Sequence, residues 1–129
     1  MKKFIYIVLS APILLFSLCS QANTVTKTCS GQIRYCDSLG ICTNEHYYLY
    51  SYQNVILNQD GTFKRHRYRM RTRSILGDAS DYTPRETAVG EYVVYDGPVF
   101  SLAIPWVAGL PLYYFQPNFG VDEWQELCL

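Results

Sequence analysis

The chain has little of the chemistry that enzymes commonly use. It contains two histidines, His46 and His66, and no Gly-x-Ser-x-Gly, His-Glu-x-x-His or phosphate-cradling glycine motif. Its 11 basic and 11 acidic residues balance, so the net charge does not indicate a nucleic-acid partner. We therefore predict a binding protein that has no catalytic residues, no cofactor and no metal site.

No apolar segment of the chain reaches membrane-spanning length. Residues 4–18 form an apolar run of about 15 residues, which is short of the roughly 20 needed to cross a bilayer as a helix. Lys2 and Lys3 precede this run and the small residues Ser20 and Ala22 follow it, which is the layout of a secretory signal peptide. We predict that residues 1–22 are cleaved and that residues 23–129 form a single domain, located in the periplasm of a bacterial envelope or secreted.

Removal of the signal changes the charge balance only slightly. Nine basic residues remain once Lys2 and Lys3 are lost from the 11, against 11 acidic residues, so the net charge becomes about minus two with histidine neutral. A lipoprotein would instead be acylated at Cys19, but Leu18 occupies the position where such signals need a small residue. We therefore favour the cleaved, unacylated form.

Four cysteines remain in the mature chain, an even number that favours two disulfides in an oxidising compartment. Their separations do not match the short paired spacing of a structural zinc site. Three pairings are possible, and the sequence alone leaves the choice open. Cys36 and Cys42 flank the turn at residues 37–40 and can face each other across a hairpin, which leaves Cys29 for Cys128.

Local sequence favours β structure throughout the mature chain. Tyrosine occurs 12 times in the whole chain, Val, Ile, Thr and Phe recur, and turn residues fall at regular intervals. These signals predict an all-β fold, a small antiparallel barrel or sandwich of about six or seven strands, with residues 77–87 as a loop. The predicted strands are 25–36, 41–57, 62–75, 88–95, 99–104 and 111–116, followed by a short C-terminal helix or a final strand at 121–128.

One part of this pattern resembles a known family. Residues 55–63 read strand, Asp-Gly turn, strand; residues 90–94 begin Gly-Glu-Tyr; and residues 99–102 form a further strand. This rhythm, over about 50 residues, is similar to that of small exported lipocalin-like β-barrel proteins. The resemblance implies a ligand carrier, an envelope-stress module or a protein inhibitor.

The most distinctive feature of the mature sequence is a row of arginines. Successive side chains of a β-strand point to opposite faces, so five alternate arginines share one face while His66, Tyr68 and Met70 share the other. Charges in a dry core carry a desolvation penalty of several kcal/mol each, so the arginines must face water or a ligand. The row consists of Arg65, Arg67, Arg69, Arg71 and Arg73.

The preceding strand carries Tyr48, Tyr50 and Tyr52 on one face. A two-residue turn at Asp60 and Gly61 would place these tyrosines opposite Arg73, Arg71 and Arg69, and a four-residue loop would keep the same faces together. A three-residue loop would instead place them over the His66 side. The sequence leaves this register open.

A face of arginine and tyrosine suits an anion, because guanidinium forks bind carboxylate and phosphate and tyrosine rings provide stacking surfaces. We expect the five arginines, the three tyrosines and Trp106 to contribute to binding. The leading function is a protein-binding module of inhibitor or immunity type that engages another envelope or secreted protein or an anionic ligand. A carrier of a small apolar or anionic ligand is the first alternative.

Two further interpretations of the same residues remain. A small secreted nuclease could use Glu86 or Glu91, a histidine and the arginine row, although nothing in the sequence places them together. A charged outer strand can also serve only to keep an exposed sheet edge soluble. An internal cavity lined by Tyr and Phe would favour the carrier, whereas a filled core would favour the binding module.

Overall fold

The structure, a computed structural model, describes residues 23–117 and 121–129. The predicted signal peptide lies outside the described residues, so its cleavage stays a prediction. The all-β prediction is confirmed. The described chain forms eight strands and one 3-10 turn at Ala79–Asp81: β1 Asn23–Cys36, β2 Cys42–Leu57, β3 Phe63–Ser74, β4 Thr83–Pro84, β5 Tyr92–Asp96, β6 Ser101–Pro105, β7 Leu112–Gln116 and β8 Val121–Cys128.

Seven of these strands lie close to the seven segments that the sequence assigns to strands or to the C-terminal element. The additional strand, β4, has two residues and lies within the segment predicted as a loop. Residues 121–128, for which a helix remained an alternative, form a strand paired with β7. Their apolar spacing of three is compatible with a helix, but pairing with a neighbouring strand determines the conformation.

The strands form two antiparallel sheets. β1, β2 and β3 make a long sheet, and β4 to β8 make a short sheet in sequential order. Buried residues of both sheets, including Leu49 of β2 and Leu102 of β6, belong to one hydrophobic cluster, so the sheets pack face to face. Of the two predicted architectures, the described residues form the sandwich and do not close into a barrel.

The first hairpin is built as the sequence predicts. The Asp37 carboxylate accepts hydrogen bonds from the backbone N–H groups of Leu39 and Ile41, at 2.9 and 3.0 Å, which fixes the turn between β1 and β2. Cys36 then lies directly opposite Cys42, with a Cα–Cα distance of 4.0 Å, and the two form a disulfide. The favoured pairing is confirmed for this bridge.

The second disulfide, also as favoured, joins β1 to β8. Cys29 and Cys128 are bonded across a Cα–Cα distance of 6.3 Å and a sequence separation of 99. Cys29 belongs to the buried row of β1 that includes Val25 and Ile33, so the bridge fastens the inner side of the long sheet to the last strand of the short sheet.

The hairpin between β2 and β3 has a three-residue loop followed by a β-bulge, and the bulge was not predicted from the sequence. The backbone N–H of Gly61 donates to the carbonyl of Asn58 at 3.1 Å, and Asn58 N–H donates to the Thr62 carbonyl at 2.8 Å, which leaves three loop residues. Gly61 has a φ of 89°, as this turn requires. Lys64 is then an extra residue without a cross-strand partner, since Leu57 pairs with Phe63 and Ile56 pairs with Arg65.

This bulge determines the register of the whole hairpin. Without it, the three-residue loop would place Tyr52, Tyr50 and Tyr48 opposite Tyr68, Met70 and Thr72, on the His66 side of β3. The extra residue shifts the pairing by one position, so Tyr52 lies opposite Arg69. The resulting register is the one that a two-residue turn would produce, reached by a different local structure.

Candidate binding face

The outer face of the long sheet carries the tyrosine and arginine rows side by side. We call these eight residues the Arg-Tyr face: Tyr48, Tyr50 and Tyr52 of β2, and Arg65, Arg67, Arg69, Arg71 and Arg73 of β3. The five arginines are exposed and the three tyrosines are partly buried. A third row, of threonine and serine on β1, lies on the other side of the tyrosines, with Thr28 opposite Tyr50.

Two of the arginines stack on tyrosine rings. The guanidinium carbon of Arg73 lies 4.7 Å from the centroid of the Tyr48 ring, and that of Arg71 lies 5.5 Å from the Tyr50 centroid. Contacts of this kind stabilise exposed pairs by about 0.5–1 kcal/mol. Stacking occupies the flat side of a guanidinium and leaves its N–H groups able to bind a carboxylate or phosphate.

The charge on this face has one sign. No Asp or Glu occupies an outward position of β1, β2 or β3, and Arg34 of β1 adds a further positive charge. Among the described residues the ion pair lies elsewhere, between Arg85 and Asp96 of the short sheet. An acid-free positive row in a chain with balanced total charge is a strong local asymmetry.

The spacing of the arginines keeps the electrostatic repulsion between neighbouring side chains small in water. Neighbouring arginines at alternate strand positions are about 7 Å apart, and the row from Arg65 to Arg73 extends about 27 Å. Two unit charges at about 7 Å repel by only about 0.6 kcal/mol at the dielectric constant of water. The repulsion is therefore small in solvent, and an acidic partner would remove it.

The opposite side of β3 faces the short sheet. Met70 packs against the hydrophobic cluster, and His66 is partly buried. Tyr68 is 42 % exposed, but its ring packs against His66 and Tyr95, with centroid distances of 4.9 and 5.3 Å. The inner position predicted for these three side chains matches the structure, although Tyr68 lies at the margin of the core.

A buried polar network connects the two sheets behind the arginine row. The Gln53 amide donates to the carbonyls of Ile104 and Pro105, both at 3.1 Å, and its oxygen accepts a hydrogen bond from the Tyr95 hydroxyl. His66 Nε2 lies 3.1 Å from the same Gln53 oxygen and 3.0 Å from the Tyr95 hydroxyl. Burial lowers the pKa of His66 and raises that of Tyr95, so both are neutral at pH 7.

Gln116 makes the reciprocal connection at the other end of the sandwich. Its side-chain amide donates to the Cys36 carbonyl at 2.6 Å, and its oxygen accepts from the Cys36 N–H at 2.9 Å. Gln53 and Gln116 are each 1 % exposed. Each sheet therefore contributes one glutamine that binds backbone groups of the other sheet.

Other predicted site residues are not part of the Arg-Tyr face. Trp106 follows β6 in the short sheet, partly buried, and its indole N–H donates to the Gly90 carbonyl at 3.1 Å. Of the two histidines of the hypothetical nuclease group, His66 lies on the inner side of β3, whereas His46 lies at an outward position of β2, in the row of the three tyrosines. Glu86 and Glu91 lie in the segment between β4 and β5.

The structure also contains a surface groove that was not predicted from the sequence. It lies on the outer face of the short sheet and is lined by Arg85 and by apolar and aromatic side chains that include Tyr92, Tyr113 and Trp124. The sequence of residues 121–128 contained one indication of this groove. In a strand, Trp124 and Glu126 share a face, whereas in a helix they point in nearly opposite directions.

Comparisons with protein-family models, with curated proteins and with solved structures found no match. Within residues 23–117 and 121–129, no helix has the length and apolar character needed to cross a membrane. The same ranges contain no cluster of three or more His, Cys, Asp or Glu side chains that could hold a metal ion. The resemblance to lipocalin-like barrels stays a prediction.

Proposed function

We propose that the protein is an exported binding module, of inhibitor or immunity type, that engages an acidic surface of another envelope or secreted protein through its Arg-Tyr face. One observation carries the proposal: five exposed arginines form one row on a sheet face with no carboxylate at its outward positions. Such a face attracts an acidic partner over long range and can bind it with guanidinium forks.

Two disulfides are compatible with an oxidising compartment. Together with the predicted signal peptide at residues 1–22, they support export to the periplasm or beyond the cell. The partner would then be encountered in the envelope or outside it.

A protein partner is favoured over nucleic acid and over an internal ligand. The mature chain is slightly acidic overall, unlike most nucleic-acid-binding domains, and tyrosine and arginine are enriched at protein interfaces. The interior of the sandwich is occupied by large side chains such as Tyr95, Phe100 and Leu102, each 1 % exposed or less. A filled interior supports the binding module rather than the carrier.

The test is capture of partners from an envelope extract by the immobilised mature protein. We expect a protein to be retained at low salt and released at high salt, because exposed charge pairs are screened by added ions. The variant Arg69→Ser/Arg71→Ser should lose this protein, whereas Lys27→Ser/Lys64→Ser, which removes two positive charges outside the row, should retain it. Equal retention by both variants would contradict the proposal. Retention of nucleic acid instead of protein would show that the proposed class of partner is wrong.

A further inference from the structure

The groove on the outer face of the short sheet has the size of a small-ligand site. Its volume is about 290 Å³, which is near the lower end of the volumes of about 300–1,000 Å³ typical of ligand pockets. Apart from Arg85, the lining side chains are apolar or aromatic: Val89, Tyr92, Val94, Ala103, Tyr113 and Trp124. Two of these, Val89 and Trp124, are 55 % and 40 % exposed.

The aromatic side chains are held in place by contacts with each other and with residues outside the groove. The Tyr92 hydroxyl donates to the Pro111 carbonyl at 2.8 Å, so the ring rather than the hydroxyl is available to a ligand. Tyr92 and Tyr113 meet at 69° with centroids 5.8 Å apart, and Trp124 packs against Phe115 with centroids 5.5 Å apart. The groove is therefore a preformed aromatic corner, which reduces the entropy lost on binding.

The charges around the groove are mostly negative. Glu126 lies directly opposite Tyr113 in the β7–β8 pairing, and Glu91 precedes Tyr92; both are exposed. Burial raises the pKa of Tyr92, and the charges of Tyr113, Glu91 and Glu126 raise it further, which is consistent with carboxylates close to the ring.

The one cation of the lining is already neutralised. Arg85 donates to both carboxylate oxygens of Asp96, at 2.8 and 3.1 Å, and Ser101 donates to the same carboxylate at 2.7 Å. This fixed pair leaves Glu91 and Glu126 as the unbalanced charges of the rim, so the groove favours a positive ligand over a negative one.

From this geometry we propose that the groove binds a methylated organic ammonium group. Aromatic faces attract cations through their quadrupoles, and desolvated pairs of this kind are stronger than exposed ones. A primary ammonium carries three N–H donors, and those that point at the aliphatic and aromatic walls rather than at the rim carboxylates stay unpaired, which is costly. A quaternary ammonium has no N–H group, so it can leave water and contact the rings while the carboxylates balance its charge.

This site is separate from the Arg-Tyr face and does not depend on the function proposed for that face. The same ligand chemistry occurs in free small cations and in the trimethylammonium headgroup of choline lipids. Both sources therefore have to be presented to the protein.

The experiment titrates the mature protein with choline, with its uncharged isostere 3,3-dimethyl-1-butanol, and with ethanolamine, using the NMR signals of the groove residues. We expect choline to bind at least about tenfold more tightly than either comparison compound. Trp124→Ala should weaken choline binding about tenfold. Glu126→Gln should weaken it severalfold, whereas Glu123→Gln, in the same strand at a position of opposite alternation, should leave it unchanged.

A second arm uses vesicles of phosphatidylcholine and of phosphatidylglycerol. Preferential binding to phosphatidylcholine that is weakened severalfold in Glu126→Gln identifies the lipid headgroup as the source, and binding of choline alone identifies a free cation. Equal affinity for choline and its uncharged isostere overturns the proposal, as does the absence of binding to both choline and phosphatidylcholine. If Trp124→Ala fails to fold, the isostere and the two glutamate variants still decide the question.

Discussion

The inner and outer sides of the long sheet differ in how their polar groups are satisfied. On the inner side, Gln53 and His66 are bonded to groups of the other sheet or to each other. On the outer side, the arginines stack on tyrosine or extend into solvent, without a carboxylate at any outward position of the sheet. Buried polar groups must be paired within the fold, whereas exposed charges can be left for a partner.

This difference exists within a single strand. β3 alternates between exposed arginines and side chains that contact the core. Adjacent residues therefore differ in role: one stabilises the fold, and the next is exposed to solvent and to any partner. Met70, between Arg69 and Arg71, packs against the hydrophobic cluster while its neighbours are exposed. The comparison therefore predicts that substitutions one residue apart have very different consequences for stability.

The largest loss of stability is expected on removal of the Cys29–Cys128 disulfide, which joins the inner side of the long sheet to β8. Loss of the Cys29–Cys128 bridge opens a loop of about 100 residues and should cost about 4.7 kcal/mol in the chain-entropy model. The Cys36–Cys42 bridge closes a loop of about six residues and should contribute about 2 kcal/mol. Urea unfolding of Cys29→Ala/Cys128→Ala and of Cys36→Ala/Cys42→Ala checks this order, and a larger loss in the second variant would be evidence against it.

The second prediction concerns the noncovalent connection between the sheets. Gln53→Leu leaves buried carbonyl groups of Ile104 and Pro105 without their donor, and each unsatisfied group costs about 1–3 kcal/mol. We expect a total loss of about 3 kcal/mol in the free energy of unfolding. Asn54→Leu, one residue away on the outer side, is the matched control and should change stability by less than about 1 kcal/mol. Similar losses in the two variants would remove the distinction between the sides.

The third prediction is a dependence of stability on pH through His66. Its pKa in the folded protein is below the value of about 6.5 expected in the unfolded chain, because burial disfavours the charged ring. The unfolded state therefore binds more protons, and stability falls as the pH decreases through about 6.5 towards the folded pKa. The carboxyl groups of Asp60, Asp78 and Asp96 also have lowered pKa values, but their contribution to stability is lost only below about pH 5.

Unfolding midpoints in urea at pH 7.5, 6 and 5 measure this dependence. His66→Gln keeps a polar side chain at the network but removes the titrating ring, so the midpoint should become nearly independent of pH over this range. An unchanged pH dependence in His66→Gln would show that another group is responsible.

The sequence predicts the strands well because turn chemistry and alternation are local. Asp37 and Gly40 mark the first turn, and the arginine alternation places the row on one face whatever the loop length. The bulge at Lys64 is different: no local propensity distinguishes Lys64 from its basic neighbours, yet it determines the register. The tyrosine–arginine pairing agrees with the two-residue turn only because the bulge compensates for the longer loop.

The groove and the glutamine contacts could not be predicted in the same way. Tyr92, Tyr113 and Trp124 come from three strands, and their proximity depends on strand order and on the pairing of β8. Gln53 and Gln116 look like surface residues in the sequence, since glutamine is usually exposed. Only the approach of the two sheets shows that each has backbone partners.

The smallest stability effect is expected on the outer side. Arg69→Ser/Arg71→Ser removes one cation–π contact and should change the free energy of unfolding by no more than about 1 kcal/mol in total. Met70→Ser, between the two positions, removes a side chain that packs against the core and should cost about 2 kcal/mol. Urea unfolding of both variants under the same conditions tests the comparison directly. If the arginine pair is the more costly, the row stabilises the fold itself, and its exposure would no longer support a role in binding an acidic partner.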